Sequence, residues 1–226
     1  MNYQAEYSQY NEFNRFPNLD GIEAKIVTHL VNSKSKHADI LWKILKYDSD
    51  IYALSKPSVS TKDRMALVCN NNGEPTGKRV FFAPFVDDAW QEQCSSLYIY
   101  VESIVPGDHL TANVGVTVET VVHSKISAIN GDGDQILNPQ ANPNDSTVDG
   151  DLIVTFKNRA TVLLKCILAE LNGLYLDGIG YLQFNQKLSL KGKTEMPLWN
   201  NRSFYGHSTH FAMEMAGVSE SSSVGF

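Results

Sequence analysis

The segment Gly73–Arg79 (GEPTGKR) has the glycines and the lysine of a phosphate-binding loop, in which backbone N–H groups and an ammonium group hold phosphate oxygens. That motif requires four residues between its glycines and a Ser or Thr after the lysine. Here three residues separate Gly73 from Gly77, and Arg79 follows Lys78. We therefore interpret the segment as a turn before a strand and predict no nucleotide site.

Ligands for a metal ion are present but poorly spaced. Asn130, Asp132 and Asp134 offer oxygen atoms that suit calcium, yet the bidentate Glu that closes an EF-hand loop is missing, which favours a solvated turn. His207 and His210 are three residues apart in a predicted strand, where that spacing places them on opposite faces. The sequence predicts no metal site.

Residues for nucleophilic or acid–base catalysis do not form a recognisable set. There is no G-x-S-x-G elbow, and Cys94 has His109 and His123 nearby only in sequence. Glu119 and His123 share a face of a predicted strand, as a catalytic acid and base would, but so does any half-exposed pair on one strand. We predict a protein that is not an enzyme, with no catalytic residues and no cofactor.

Length, charge and cysteine usage restrict the remaining functional classes. The 226 residues suffice for a sizeable core, and 25 Asp and Glu against 19 Lys and Arg disfavour tight binding of nucleic acid. Cys69, Cys94 and Cys166 lie apart beside hydrophobic residues, which indicates buried free thiols. No signal peptide and no apolar run of roughly 20 residues is visible, so we expect folding in a reducing cytoplasm and no membrane contact.

Hydrophobic residues at helical spacing dominate the first third of the chain. One stripe follows Asp20 and Glu23, which have the spacing of a capping box, and consists of Ile22, Ile26, Val27, Leu30 and Val31. A second stripe follows Ser35 and consists of Ile40, Leu41, Ile44 and Leu45. Ser60 and Asp63 are spaced to cap a third helical turn.

From Arg79 onward the hydrophobic period becomes two, which is the period of β-strands. Residues 79–85 (RVFFAPF) and 97–102 predict two strands. The turn Pro106–Asp108 then leads into a long strand over 114–123, in which valines alternate with Thr117, Glu119, Val121 and His123. The strands on either side of this turn predict a long antiparallel hairpin.

The strongest helical stripe lies in residues 159–171, before Gly173, and consists of Ala160, Leu163, Leu164, Ile167, Leu168 and Leu171. Residues 174–184 and 203–215 predict two further strands. Helices, then strands, then a helix and strands predict an α+β fold with a mainly antiparallel sheet packed against a few amphipathic helices. We expect the sheet that contains the hairpin to cover helix 159–171.

Three parts of the chain differ in composition. Residues 1–19 predict an extended N-terminal arm, residues 20–217 a single α+β domain with a long surface loop at 130–151, and residues 218–226 a flexible C-terminal tail. The arm and the loop are too polar or irregular for a core, yet they contain side chains of the kind that interfaces bury. We predict that they make subunit contacts through Tyr3, Tyr7, Tyr10, Phe13, Phe16, Ile136 and Leu137.

Two longer stretches carry a resemblance to known proteins. One runs from LSKPSVSTKDRMALV (54–68) through RVFFAPF to SSLYIYVESIVPGDHLTANVGVTVETVVHSKI (95–126); the other is RATVLLKCILAELNGLYLDGIGYLQF (159–184), followed by FYGHSTHFAM (204–213). Over about residues 20–215 the chain resembles the neck and tail-completion proteins of tailed bacteriophages, the group of tail terminators and stoppers, and particularly the ring proteins of crAss-like phages. The recurrent signals of that group fall at Arg159, Asn172, Gly173, Gly178, Gly180, Tyr205 and Gly206.

The resemblance implies a tail-terminator-like fold and a structural virion protein that forms a homo-oligomeric ring in the head-to-tail connector or tail. Its neighbours would be portal, connector or other tail ring proteins, and double-stranded DNA would pass through its lumen during genome ejection. The acidic composition leads us to expect that this DNA is not tightly bound. Such a protein is synthesised in the bacterial host cytoplasm and located in the virion. Two alternatives stay open: another self-assembling virion scaffold, such as a capsid-associated or baseplate component, and a soluble enzyme with a dispersed site.

Overall fold

The computed structural model describes residues 19–69, 76–84, 93–106, 111–130, 156–184, 195–201 and 203–216. The helices within these ranges are α1 (Ile22–Asn32), α2 (Lys36–Lys46), α3 (Thr61–Ala66) and α4 (Arg159–Leu171). The strands are β1 (Val80–Phe81), β2 (Ser95–Pro106), β3 (Thr111–His123), β4 (Ala128–Asn130), β5 (Phe156–Asn158), β6 (Tyr175–Leu176), β7 (Gly180–Tyr181), β8 (Glu195–Asn201) and β9 (Phe204–Ala216). Short 3-10 turns span Leu19–Gly21, Ala53–Ser55 and Ser124–Ile126. Helices and a mainly antiparallel sheet confirm the α+β class.

The helices begin with different caps. Ser60 accepts a hydrogen bond from the N–H of Asp63 at the start of α3, as predicted. The predicted capping box of α1 is wrong, because Gly21 precedes the helix without a side-chain cap. The Glu23 carboxylate instead accepts a hydrogen bond from the N–H of Val101 at 2.9 Å, and so joins α1 to strand β2.

Five strands form the main sheet in the order β1-β2-β3-β9-β8. Strand β1 is parallel to β2, and the other neighbours are antiparallel. Strands β2 and β3 pair from Ser95↔Val122 to Pro106↔Ala112, with an irregular step between Val101 and Ser103. Residues 107 and 108 of the predicted turn lie outside the described residues. Strand β1 is shorter than the strand predicted from RVFFAPF, and β8 was not predicted.

The helices pack on one face of this sheet. The apolar stripe of α1 is buried, and α4 lies against β3 and β9, with Ile167 fully buried in the same core as Val116 and Val118. The side chains of Phe81, Tyr98, Val121 and Phe204 form a second, smaller cluster on the other face. Both faces of β3 are therefore buried, whereas its polar face was expected to be half-exposed.

Candidate functional site

Arg159 holds three segments of backbone together from a buried position. Its side chain is 1% exposed. The Nε atom donates to the carbonyl oxygen of Ile126 at 2.9 Å, and Nη2 donates to that of Asp50 at 3.0 Å. A third, longer hydrogen bond joins Nη1 to the carbonyl oxygen of Ile44. Burial lowers the pKa of the guanidinium, and the nearby Asp48 carboxylate opposes that change. The residue serves the fold, because its donors are directed at main-chain acceptors.

Asn172 and Gly173 end helix α4. The N–H of Asn172 donates to the carbonyl oxygen of Leu168, and its side-chain oxygen accepts from the N–H of Phe184 at 2.9 Å. Gly173 has a φ of 82°, in the left-handed region that favours glycine, and its N–H donates to the carbonyl oxygen of Leu182 at 2.7 Å. These two residues direct the chain into the small hairpin of β6 and β7.

The other positions that carry the resemblance to the phage group lie in tight turns or in close contacts between strands. Gly178 and Gly180 have φ angles of 70° and 142° at the turn between β6 and β7. At Gly206, a Cβ atom would overlap the carbonyl oxygen of Thr120 in strand β3, so only glycine fits. The Tyr205 hydroxyl donates to the side-chain oxygen of Asn158, the cap of α4, at 3.4 Å. All seven positions thus contribute to folding. The end of α4 at Gly173 was predicted from the sequence, whereas the contacts of the other six positions were not.

A buried polar network lies on the sheet face opposite the helices, and sequence reasoning missed it. This sheet network comprises Tyr100, Glu102, Thr117, Glu119, Ser208 and His210 on the adjacent strands β2, β3 and β9. Thr117 Oγ1 donates to Glu102 Oε2 at 2.6 Å, and His210 Nδ1 lies 3.0 Å from the same oxygen. The Tyr100 hydroxyl donates to Glu119 Oε1 at 3.0 Å. Glu119 shares a face of β3 with His123, but its hydrogen bonds run across the strands, to Tyr100 and Ser208.

Burial changes the pKa of two acidic groups in the network. It raises the pKa of Glu119, although hydrogen bonds from Tyr100 and Ser208 oppose the rise. Burial, together with the neighbouring Glu119 carboxylate, also raises the pKa of the Tyr100 hydroxyl. The phenol therefore keeps its proton at neutral pH and acts as a hydrogen-bond donor.

Glu102, His210 and Ser208 stand in the order carboxylate, imidazole and hydroxyl that activates a serine nucleophile. The Ser208 hydroxyl lies 3.4 Å from His210 Nε2. However, Ser208 and His210 are only 4% and 3% exposed. Ser208 also pairs with Glu119 on one side and Met196 on the other, which places its backbone inside the sheet ladder. The backbone N–H of Ser208, which an oxyanion would need as a hydrogen-bond donor, therefore takes part in the sheet.

The three cysteines form no disulfide, and two of them are buried. Cys94 and Cys166 are buried and Cys69 is partly exposed. Burial raises the pKa of the Cys166 thiol to about 12, and the Glu170 carboxylate adds to the effect. The thiol is therefore protonated at neutral pH and a poor nucleophile. Within the described residues, no group of three or more His, Cys, Asp or Glu side chains could hold a metal ion.

A basic groove separates the first turn of α2 from α4. It has a volume of about 520 Å³ and is lined by Lys36, His37, Ile40, Leu54, Lys157, Asn158, Thr161, Val162, Lys165 and Cys166. Lys36, Lys157 and Lys165 are exposed, whereas Ile40, Leu54 and Val162 supply apolar surface and are partly buried. Among the described residues, Asp and Glu are absent from this lining. The lining therefore combines positive charge with apolar surface.

The arm and loop residues predicted to make subunit contacts, Tyr3, Tyr7, Tyr10, Phe13, Phe16, Ile136 and Leu137, lie outside the described residues. In the part of the chain that is described, no helix is long and apolar enough to cross a membrane. Comparisons with protein-family models, with curated proteins and with solved structures find no match for this chain. The function of this chain is therefore inferred from its own residues and geometry.

Proposed function

We propose that this chain is a non-enzymatic structural protein of a tailed-bacteriophage virion, and that it forms a homo-oligomeric ring in the head-to-tail connector or tail. The observation that carries the proposal is the position of the family-like residues in the fold. Arg159 binds three main-chain carbonyl groups, Gly173 adopts a left-handed conformation and Gly206 leaves no room for a side chain. Residues that resemble the phage group thus coincide with residues that this fold requires.

The use of buried charge also supports a structural role. Arg64 is buried and donates to the carbonyl oxygens of Val59, Val31 and Ser33. The Glu170 carboxylate accepts hydrogen bonds from the hydroxyl groups of Ser33 and Ser35, between α1 and α2. These charged groups fix loops to helices, as expected of a rigid subunit whose loops must be held in one position for assembly.

A closed ring distinguishes this proposal from the alternative of another virion scaffold. The full chain, purified at micromolar concentration, should give ring-shaped particles of one diameter by negative-stain electron microscopy. Native mass spectrometry should give one multiple of the 25.2 kDa subunit mass. A protein that stays monomeric as its concentration is raised would contradict the proposal, and open fibres or sheets would favour a different kind of scaffold.

A second candidate, a soluble hydrolase, is favoured only by the order Glu102, His210 and Ser208. Its test is hydrolysis of an activated ester by the full chain, compared with the variant Ser208→Ala. Turnover that is lost in Ser208→Ala while the fold is retained would support the hydrolase. Hydrolysis at the same slow rate by both proteins is the result we expect from a structural subunit.

A further inference from the structure

Two tyrosines are exposed side by side on the small hairpin of β6 and β7. Tyr175 and Tyr181 face each other across the two strands and are 54% and 57% exposed. Their ring centroids are 4.9 Å apart, so the two rings form one contiguous aromatic patch. Tyrosine is one of the residues that contribute most to binding at protein interfaces. We call this pair the tyrosine knob.

The hairpin holds the knob in a fixed position. Leu176 and Ile179 of the hairpin are buried in the hydrophobic core. At Gly180, a Cβ atom would overlap the main-chain carbonyl oxygen of Glu214 in strand β9, so the hairpin lies directly against the sheet. A partner that binds these rings therefore has little conformational entropy to remove from the hairpin.

Negative charge accompanies the knob. Asp177 lies in the turn of the hairpin and Glu214 lies on the adjacent part of β9, and both residues are exposed. Lys25 donates its hydrogen bond to the main-chain oxygen of Asp177. Within the described ranges, neither carboxylate has a hydrogen-bond or ion-pair partner. The knob thus presents aromatic rings together with carboxylates.

The basic groove has the complementary chemistry. Lys36, Lys157 and Lys165 are exposed, and among the residues that the structure describes none of their ammonium groups has a partner. Ammonium groups attract carboxylates and also the faces of tyrosine rings. The apolar side chains of the groove, such as Ile40 and Val162, offer contact surface for the rings themselves. Because each copy has a net charge of −6, a basic surface on one copy also attracts another copy as a whole.

The knob and the groove lie at different places on the subunit. Helix α4 lines the groove with residues from its N-terminal part, Thr161 to Cys166, whereas the hairpin follows the C-terminal end of the helix. The 13 residues of α4 span about 20 Å. No residue of the hairpin lines the groove, and the hairpin is fixed against the sheet. The groove is therefore open to the knob of a different copy.

We propose that the tyrosine knob of one copy binds in the basic groove of a second copy. The inference rests on the proposed ring, because it assigns one of the contacts that close it. Two different surfaces of one subunit that bind each other make a head-to-tail contact, which is the type of contact that generates rings.

The first test removes the rings in the full chain with Tyr175→Ala and Tyr181→Ala together. We expect this knob variant to stay folded by circular dichroism and to weaken subunit association by about 10- to 100-fold, because it loses the central aromatic contacts. Tyr175→Phe with Tyr181→Phe keeps both rings and should retain most of the affinity.

A matched control removes two exposed apolar side chains at the other edge of the sheet, with Phe82→Ala and Val105→Ala. This control should associate like the wild type, as measured by light scattering over a range of protein concentrations. Equal weakening by the knob variant and the control would contradict a specific contact of the tyrosines.

The second test reverses the charges of the groove with Lys36→Glu, Lys157→Glu and Lys165→Glu together. We expect this groove variant to weaken association by about 10-fold or more. The matched control reverses three exposed lysines outside the groove and changes the net charge equally: Lys34→Glu, Lys62→Glu and Lys125→Glu. The control should assemble like the wild type at the same salt concentration, and weakening of both to the same degree would contradict a role of the groove.

The third test mixes the knob variant with the groove variant. The knob variant has an intact groove and the groove variant has an intact knob, so one contact of each mixed pair is intact. At a concentration at which each variant alone is dissociated, native mass spectrometry should show one-to-one complexes that contain both variants. Absence of these mixed pairs would overturn the proposal, even if each variant alone is impaired.

The fourth test identifies the chains in contact. A photoreactive p-benzoylphenylalanine in place of Tyr181 is irradiated in a mixture of ¹⁵N-labelled and unlabelled subunits. We expect links to peptides that contain residues 36–40 or 157–166 of a differently labelled copy. Links only within one chain, or only to other regions, would overturn the inference. If rings form and the knob variant leaves them intact, the inference fails while the proposed function stands; if the wild type is monomeric, both fail.

Discussion

Gly206 shows how closely two central strands of the sheet approach each other. A Cβ atom at this position would overlap the backbone carbonyl of Thr120 in the neighbouring strand β3. Gly206→Ala must therefore shift main-chain atoms, and we expect it to lower the free energy of unfolding by about 2 to 3 kcal/mol. Gly21→Ala is the control, because a Cβ there meets no atom within 4 Å and its cost should stay below about 1 kcal/mol. Urea denaturation measures the free energy of unfolding of both variants. Equal losses of stability in Gly206→Ala and Gly21→Ala would contradict the close contact between the strands.

Glu119 should make stability depend on pH in a defined direction. Its folded-state pKa is raised, chiefly by burial, so the folded protein holds this proton more tightly than the unfolded chain does. The stabilisation is fully present below the unfolded-state pKa and is lost as pH rises through the raised folded-state value. A glutamine at position 119 does not ionise, so the Glu119→Gln variant does not lose this stability as pH rises. Its amide oxygen can still accept a hydrogen bond from Tyr100.

We therefore expect Glu119→Gln to gain stability relative to the wild type between about pH 4 and pH 7. The measurement is the urea midpoint of both proteins at several pH values in this window. Glu214→Gln is the control for replacing a carboxylate by an amide, because Glu214 is exposed. A difference between Glu119→Gln and wild type that does not change with pH would show that Glu119 is not responsible for the pH dependence.

Helix α4 buries one face against the main sheet. Ile167 is fully buried where this helix packs on β3 and β9. Ile167→Asp places a charge without a partner in the core, and we expect it to cost more than about 4 kcal/mol, enough to prevent soluble folding. Ile167→Val, which removes one methylene group, should cost about 1 kcal/mol. A folded, soluble Ile167→Asp protein would contradict this packing.

The helices were predictable because their signals are local. The stripes Ile22–Val31 and Ala160–Leu171 repeat every three or four residues, and their positions agree with α1 and α4. Strand β8 was missed because it has no alternation of apolar and polar residues and contains Pro197, which is unfavourable in strands. The sheet network was missed for a different reason. Glu102, Thr117 and His210 meet only through the register of three strands, which hydrophobic periodicity in one strand does not contain.

At the scale of the whole molecule, the N-terminal arm is predicted to act in assembly and not in folding. Leu19 is the first described residue, and its side chain packs against the hydrophobic core. Deleting residues 1–18 should leave the melting temperature of the isolated subunit within about 3 °C of the wild type. We expect the same deletion to weaken subunit association by about 10-fold or more, because it removes the aromatic side chains that interfaces favour. Undiminished association, measured by light scattering, would contradict an assembly role.

The overall charge of the molecule leads to a prediction about DNA in the lumen of the proposed ring. DNA must pass through a connector during ejection, and each firm phosphate contact would oppose that passage. With 25 acidic and 19 basic residues, the chain has no surplus of positive charge to line a lumen. An acidic lining would keep the duplex centred.

We therefore expect the full chain to bind a short DNA duplex only weakly, and binding should depend little on salt. Each neutralised phosphate adds a slope of about −0.9 to the plot of log K against log salt concentration, so we expect a slope shallower than about −2. The groove variant with Lys36→Glu, Lys157→Glu and Lys165→Glu should bind the duplex no more weakly than the wild type does. Tight binding at low salt that collapses steeply as salt is added would reveal several phosphate contacts and show that the protein grips DNA. In that case, loss of binding in the groove variant would identify those three lysines as the contacts.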